Sequence, residues 1–232
     1  MTVDTLRRVR AIVSVFEVGK ATGDYSAVTI LSDGAGLSVG SHQSTDKADS
    51  LDAIVFSYID RGGALGPAIR PYLDELAGDL SAKVDPKTPK SWPQWLHELI
   101  ALLKQAGQDP IMQAAQDEVF DEQYMVPAQR MCTEMQLSTP LALAVVYDTC
   151  IHSGPGRVAT HRKAFPESPP VRGGTEMAWV RAYVAARKKW LLSNSNPLVR
   201  ATVYRMEAFE KLIAEGNWNL NTPFKVRGVT VS

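Results

Sequence analysis

Two cysteines in 232 residues, Cys132 and Cys150, are too few for a disulfide scaffold. Both stand in apolar, helix-like surroundings, so a reduced, buried pair is the expected state. An excess of charge of either sign is equally absent, since 25 Lys and Arg balance 25 Asp and Glu. That balance removes the electrostatic footprint of a nucleic-acid or anionic-membrane binder. Local clusters such as Arg187-Lys188-Lys189 read as a solvated helix face. From Met1 to Glu17 there is no apolar run long enough for a signal peptide or a membrane span. His42, His97, His152 and His161 lack metal-ligand spacing, and Gly154-Pro155-Gly156 contains a proline and follows a helix, unlike a phosphate-cradling loop. No nucleophile elbow or Cys/His motif is recognisable. Neither a metal nor a cofactor is expected.

What remains is a globular chain, 45% apolar, long enough for one large domain or two lobes around a cleft. Leu6, Val9, Ile12, Val13 and Phe16 recur at helical spacing, which predicts an amphipathic helix over Val3 to Val18. It ends near Gly19 and leaves Glu17 in its last turn, where the helix dipole disfavours a negative charge. Tyr25 to Leu31 alternates and is β-branched, as a strand should be. Ser32-Asp33-Gly34-Ala35-Gly36 is a turn sequence, and Leu37 to Gly40 returns as a strand, so Asp33 rides on the bend of a hairpin. The rest reads as helical, apart from a possible strand stub at Phe224 to Val231. Ser44 or Thr45 is expected to cap a helix to about Tyr58, and another helix should run from about Pro67 to Leu76. Lys83 to Pro93 reads as a loop. Asp109-Pro110 opens a long helix towards Met135, and Thr139-Pro140 opens the next, through Asp148 to His152. After a loop from Gly154 to Gly174, helices are expected over Thr175 to Leu192 and Pro197 to Ala214.

The chemistry is concentrated in the first hairpin and the helix before it. A glycosidase needs one carboxylic acid to protonate the leaving oxygen and one carboxylate for the opposite face of the sugar. The two must sit in unlike environments, and a helix end against a core and a solvated hairpin bend are unlike. The segment Val15-Phe16-Glu17, followed by Asp33-Gly34-Ala35-Gly36-Leu37-Ser38, resembles the active-site region of the chitosanases of glycoside hydrolase family 46, in the lysozyme superfamily. Their motif is a helix-borne Glu followed by Asp-Gly-x-Gly-aromatic-Thr on a hairpin. The resemblance implies Glu17 as general acid, Asp33 as general base and Ser38 in place of the threonine that holds the attacking water.

The resemblance continues in order along the chain. Asp49-Ser50-Leu51-Asp52 resembles the family's Asp-x-Leu-Glu, whose Asp contacts sugar, and Gln113 to Tyr124 resembles its central helix. Tyr147-Asp148 with His152-Ser153-Gly154-Pro155-Gly156, then Ala186-Arg187-Lys188, then Gly216 to Pro223, resemble later blocks. The family's buried network of an Asp, two Arg and the catalytic Glu would fall on Asp148, Arg187 and Arg200, with Arg205 competing for the last place. Substrate contacts are expected at Tyr25, His42, Asp49 and His152. The stretch Val39-Gly40-Ser41-His42-Gln43 departs from the chitosanase pattern and is closer to phage-type lysozymes. His42 there either hydrogen-bonds near the acid or caps the next helix.

These readings imply a mainly α, lysozyme-like α+β fold: a smaller hairpin-containing lobe over about residues 20–90, a larger helical lobe for the rest, and a cleft between them. The expected activity is endo-hydrolysis, by inversion, of β-1,4 bonds in an amino-sugar polymer. Bacterial peptidoglycan is the preferred substrate because of His42 and the missing leader, with chitosan as the alternative. A catalytically inactive carbohydrate-binding protein on the same fold is the rival of another class. The expected partner is the polysaccharide, with no nucleic acid and no membrane. The protein is expected as a monomer, made without a recognisable signal peptide and acting on the cell wall or outside the cell after release or export.

Overall fold

The computed structural model of the protein describes residues 1–31, 36–41, 44–45, 50–76 and 84–232, and of Leu31 the backbone. Helix α1 spans Val3–Val18, opened by the Thr2 hydroxyl, which accepts from the Thr5 N–H at 3.2 Å. Its face of Val9, Ile12, Val13 and Phe16 is buried. Gly19 closes it in the left-handed conformation (φ 72°), which costs a glycine little.

Strands β1 (Val28–Leu31) and β2 (Gly36–Val39) pair antiparallel, from Val28 opposite Val39 to Leu31 opposite Gly36. Ser44–Thr45 forms a third strand, β3, on the other side of β2. The expected cap there is therefore corrected. A serine or threonine serves a ladder as readily as a helix start, and helix α2 begins later, at Ser50–Asp60. The Ser50 hydroxyl ties the two together: it accepts from the Thr45 N–H at 3.2 Å.

The helix expected over Pro67 to Leu76 is broken into α3 (Gly66–Ile69), a 3₁₀ turn (Arg70–Tyr72) and α4 (Leu73–Leu76). Pro71 sits in the middle and has no N–H for the ladder. Residues 84–93 are largely loop, with one 3₁₀ turn at Pro89–Ser91, while Lys83 lies outside the described residues. Helix α5 (Gln94–Ala106), which the sequence reading left unassigned, buries Leu96, Leu99, Leu103 and Ala106 at helical spacing.

Helix α6 (Pro110–Phe120) starts on Asp109, whose side chain accepts from the Ile111 N–H at 2.9 Å. It passes through a π turn at Asp121–Met125 into α7 (Val126–Met135). Pro127 lacks an N–H and disfavours regular helix before it, which accounts for the wider turn. Helix α8 (Pro140–Ser153), capped by the Thr139 hydroxyl, buries ten consecutive residues from Leu141 to Cys150. A helix covered all round is a core helix. Helix α9 (Gly156–Arg162) occupies part of the stretch read as loop. Then come α10 (Glu176–Leu192), α11 (Pro197–Arg200), a 3₁₀ turn at Ala201–Val203, and α12 (Tyr204–Ala214). Strands β4 (Phe224–Val226) and β5 (Val229–Val231) form the terminal hairpin.

The chain divides into two compact units, one of Met1–Ala21 with Glu122–Ser232 and one of Thr22–Asp121. The hairpin unit thus runs well past residue 90. Its core explains why: Leu96, Leu99 and Leu103 of α5 and Met112 and Ala115 of α6 pack with Ile30, Leu37 and Val39 of the sheet and Leu51 and Ile54 of α2. The other unit is centred on α8, against which α1, α7, α9 and α10 pack. Cys132 and Cys150 are free and buried there, and burial pushes both thiols up to about 12. No helix among the described residues is long and apolar enough to cross a membrane.

Candidate active site

Glu17 ends α1 with its side chain 40% exposed, where the helix dipole works against its charge. Arg205, in the first turn of α12, answers that charge: its Nη2 donates to Glu17 Oε1 at 2.6 Å. The same guanidinium donates from Nη1 to Asp148 Oδ1 at 2.8 Å, and Arg187 of α10 donates to Asp148 Oδ2 at 2.5 Å. Four helices therefore deliver one chain of ion pairs, Glu17–Arg205–Asp148–Arg187, in which two cations meet two anions.

Asp148 and Arg187 are fully buried. Burial alone would push the Asp148 carboxyl up, but the guanidiniums of Arg187 and Arg205 outweigh it and hold Asp148 below the usual carboxylate range. Burial likewise opposes the charge on Arg205, and Asp148 and Glu17 together overcome it and raise its affinity for its proton. The ring of Phe16 lies 5.4 Å from the Arg205 guanidinium and edge-on to Tyr204 and Phe209. The Tyr204 hydroxyl donates to the Phe16 carbonyl at 3.1 Å, which braces the turn that carries Glu17.

The ambiguity between Arg200 and Arg205 is resolved for Arg205. Arg200 ends α11 on the surface, where it donates to the carbonyls of Asn194 at 2.5 Å and Ser195 at 2.9 Å. The 3₁₀ turn at Ala201–Val203 separates the two arginines, so only Arg205 enters the core with α12. His152 lies one turn beyond Asp148 on α8, with Nδ1 3.0 Å from the Ser153 hydroxyl. Burial, with the nearby positive charge of Arg205 and Arg187, pushes its imidazole down to about 4.

In the hairpin unit, Ser38 is 2% exposed on β2. Its ladder partners are Thr29 on β1 and Thr45 on β3, so three hydroxyl residues share one row on one face of the sheet. Thr45 was missed as a member of that row because its segment was read as a helix cap. Tyr25, expected at substrate, has its hydroxyl on Asp117, at 2.9 Å and 3.1 Å from the two carboxylate oxygens. Asp33, His42 and Asp49 lie outside the described residues. Among the described residues, no group of three or more His, Cys, Asp or Glu is placed to hold a metal ion.

Comparison with known proteins extends these observations. The model of glycosyl hydrolase family 46 matches residues 11–224. A chitosanase of Bacillus subtilis (strain 168) is 28% identical over 238 residues, covering 97% of this chain and 82% of the relative. The crystal structure of native chitosanase from Bacillus subtilis MY002 superposes with a TM-score of 0.76 at 27% identity, over 98% of this chain and 95% of that one. A mutant of that chitosanase complexed with 6 GlcN superposes with a TM-score of 0.75 at 28% identity, with the same coverage. A Gynuella sunshinyii chitosanase complexed with chitotetraose shares the fold, with a TM-score of 0.75 at 24% identity over 100% of this chain and 98% of that one. With its family match, its mainly helical fold and its small antiparallel sheet, the chain is a glycosidase and belongs to glycosyl hydrolase family 46, within the lysozyme-like superfamily.

Proposed function

We propose that the protein is an endo-acting chitosanase that hydrolyses β-1,4 bonds of chitosan with inversion, using Glu17 as acid and Asp33 as base. The observation that carries the reading is the chain of ion pairs that ends on Glu17, in a sequence matched to family 46 over residues 11–224. The relatives at 27% and 28% identity are chitosanases, and one of them is complexed with 6 GlcN. Peptidoglycan, the substrate preferred on sequence, draws no such support, and His42, which favoured it, lies outside the described residues.

In this reading Glu17 gives its proton to the glycosidic oxygen as the bond to C1 breaks. A water held by the Ser38 hydroxyl gives its proton to Asp33 and adds to C1 from the opposite face. Arg205 stabilises the carboxylate that Glu17 becomes, and Asp148 keeps Arg205 in place and charged. A glucosamine polymer is cationic at mildly acid pH, so acidic side chains such as Asp49 suit its subsites. A polymer of this size is met outside the cell, so the enzyme acts there.

Purified protein offered chitosan and isolated peptidoglycan in parallel tests the substrate. Glucosamine oligomers from the first and no muropeptides from the second, by mass spectrometry, are expected. Muropeptides together with intact chitosan would overturn the reading.

A further inference from the structure

The β1–β2 hairpin is gripped at its open end. Gln116 of α6 is 2% exposed and turns its amide to both strands. Its Nε2 donates to the Tyr25 carbonyl at 3.0 Å, just before β1, and its Oε1 accepts from the Ser41 N–H at 3.2 Å, just after β2. The next residue, Asp117, accepts from the Tyr25 hydroxyl at 2.9 Å, so α6 holds Tyr25 by backbone and side chain at once. The approach is close: a Cβ at Gly40 would stand 1.9 Å from Gln116 Oε1, and one at Gly107 would stand 2.3 Å from the Tyr25 carbonyl oxygen. Glycine is required where a side chain would push these parts apart.

We propose that Gln116 is a positioning residue for hydrolysis that acts through Asp33, because it ties to α6 both ends of the hairpin whose strands, β1 and β2, the chain joins through Asp33. The proposal rests on the reading of Asp33 as the base. A buried amide that uses its donor on one strand end and its acceptor on the other fixes both ends to one rigid helix. Gln116 is itself buried and both of its contacts run to backbone groups of the hairpin, so the effect belongs in the rate of the chemical step. Misplacing a catalytic group by about 1 Å costs on the order of 10²-fold in rate.

The test is Gln116→Met, which keeps length and removes both hydrogen bonds, measured alone and in the Asp33→Asn background on chitosan. A kcat lowered about 10–10²-fold, with KM within about twofold, is expected for the single variant. Little further loss is expected when it is added to Asp33→Asn, because a residue acting through Asp33 has nothing left to position. An unchanged kcat, or the same fractional loss with and without Asp33, would overturn the proposal. Near-normal activity of Asp33→Asn alone would instead overturn the reading beneath it, and the proposal with it. If the methionine variant fails to fold by circular dichroism, Gln116→Glu, which keeps the acceptor for the Ser41 N–H, takes its place under the same criteria.

Discussion

At the scale of single residues, Glu17 is the informative case. A glutamate in the last turn of a helix is locally unfavourable, which was a mild sign, while its role came from the resemblance; the structure sets Arg205 at 2.6 Å from it. Which arginine played that part was not legible. Arg200 and Arg205 differ by one short 3₁₀ turn, and spacing alone does not say where such a turn falls. Glu17→Gln keeps an oxygen for Arg205 and removes the acidic proton. It should lower chitosan hydrolysis by about 10²–10⁴-fold with little change in thermal midpoint, as read by reducing-end assay and calorimetry. Asp148→Asn should act the other way. It leaves the buried guanidiniums of Arg187 and Arg205 short of a counter-charge, a loss of about 3–5 kcal/mol, measured by urea unfolding. A stability within 1 kcal/mol of wild type would show that the network is not the electrostatic unit described.

At the scale of elements, legibility followed periodicity. Helix α1 shows a clear period of 3.6 and β1 an alternating segment, β2 followed from the turn sequence between the strands, and all three were placed to within a few residues. Strand β3 was lost because Ser44 and Thr45 suit a cap as well as a ladder, and only pairing with β2 separates the two. Helix α9 was lost because seven residues, of which Val158 and His161 are the buried ones, carry too little pattern. The base of the first hairpin gives the element its own prediction. Gly40 has φ +81° and no room for a Cβ beside Gln116. Gly40→Ala should therefore cost about 1–3 kcal/mol in stability and lower the thermal midpoint of the hairpin unit. A variant as stable as wild type would mean that the close approach of α6 and β2 is not needed.

At the scale of the whole molecule, the division into Met1–Ala21 with Glu122–Ser232 and Thr22–Asp121 was only half legible. The proline-rich stretch before α5 looked like a border, whereas the leucines of α5 fill the core of the hairpin unit. The α8-centred unit also carries an acid sensitivity. His152 and His161 are pushed down from 6.5 to about 4, chiefly by burial and, at both, by the positive charge of Arg187. Unfolded, they take up protons near 6.5, and folded only near 4, so the stability they contribute is complete above 6.5 and is lost as pH falls through that window. His161 is packed edge-on to Tyr183 and Trp190, so His161→Phe should flatten part of the fall in thermal midpoint between pH 6.5 and 4. An identical pH slope in the variant would mean that His161 does not contribute to the acid sensitivity.

The proposed mechanism requires two carboxylates working from opposite faces of the sugar with a water between them, and stereochemistry reads that directly. Proton NMR of chitosan digestion, recorded before mutarotation, reports the anomer released first. The α-anomer first, with the β-anomer growing in afterwards, is the predicted result. A first product in the β form would mean a covalent intermediate and retention, and would contradict the roles given to Asp33 and Ser38.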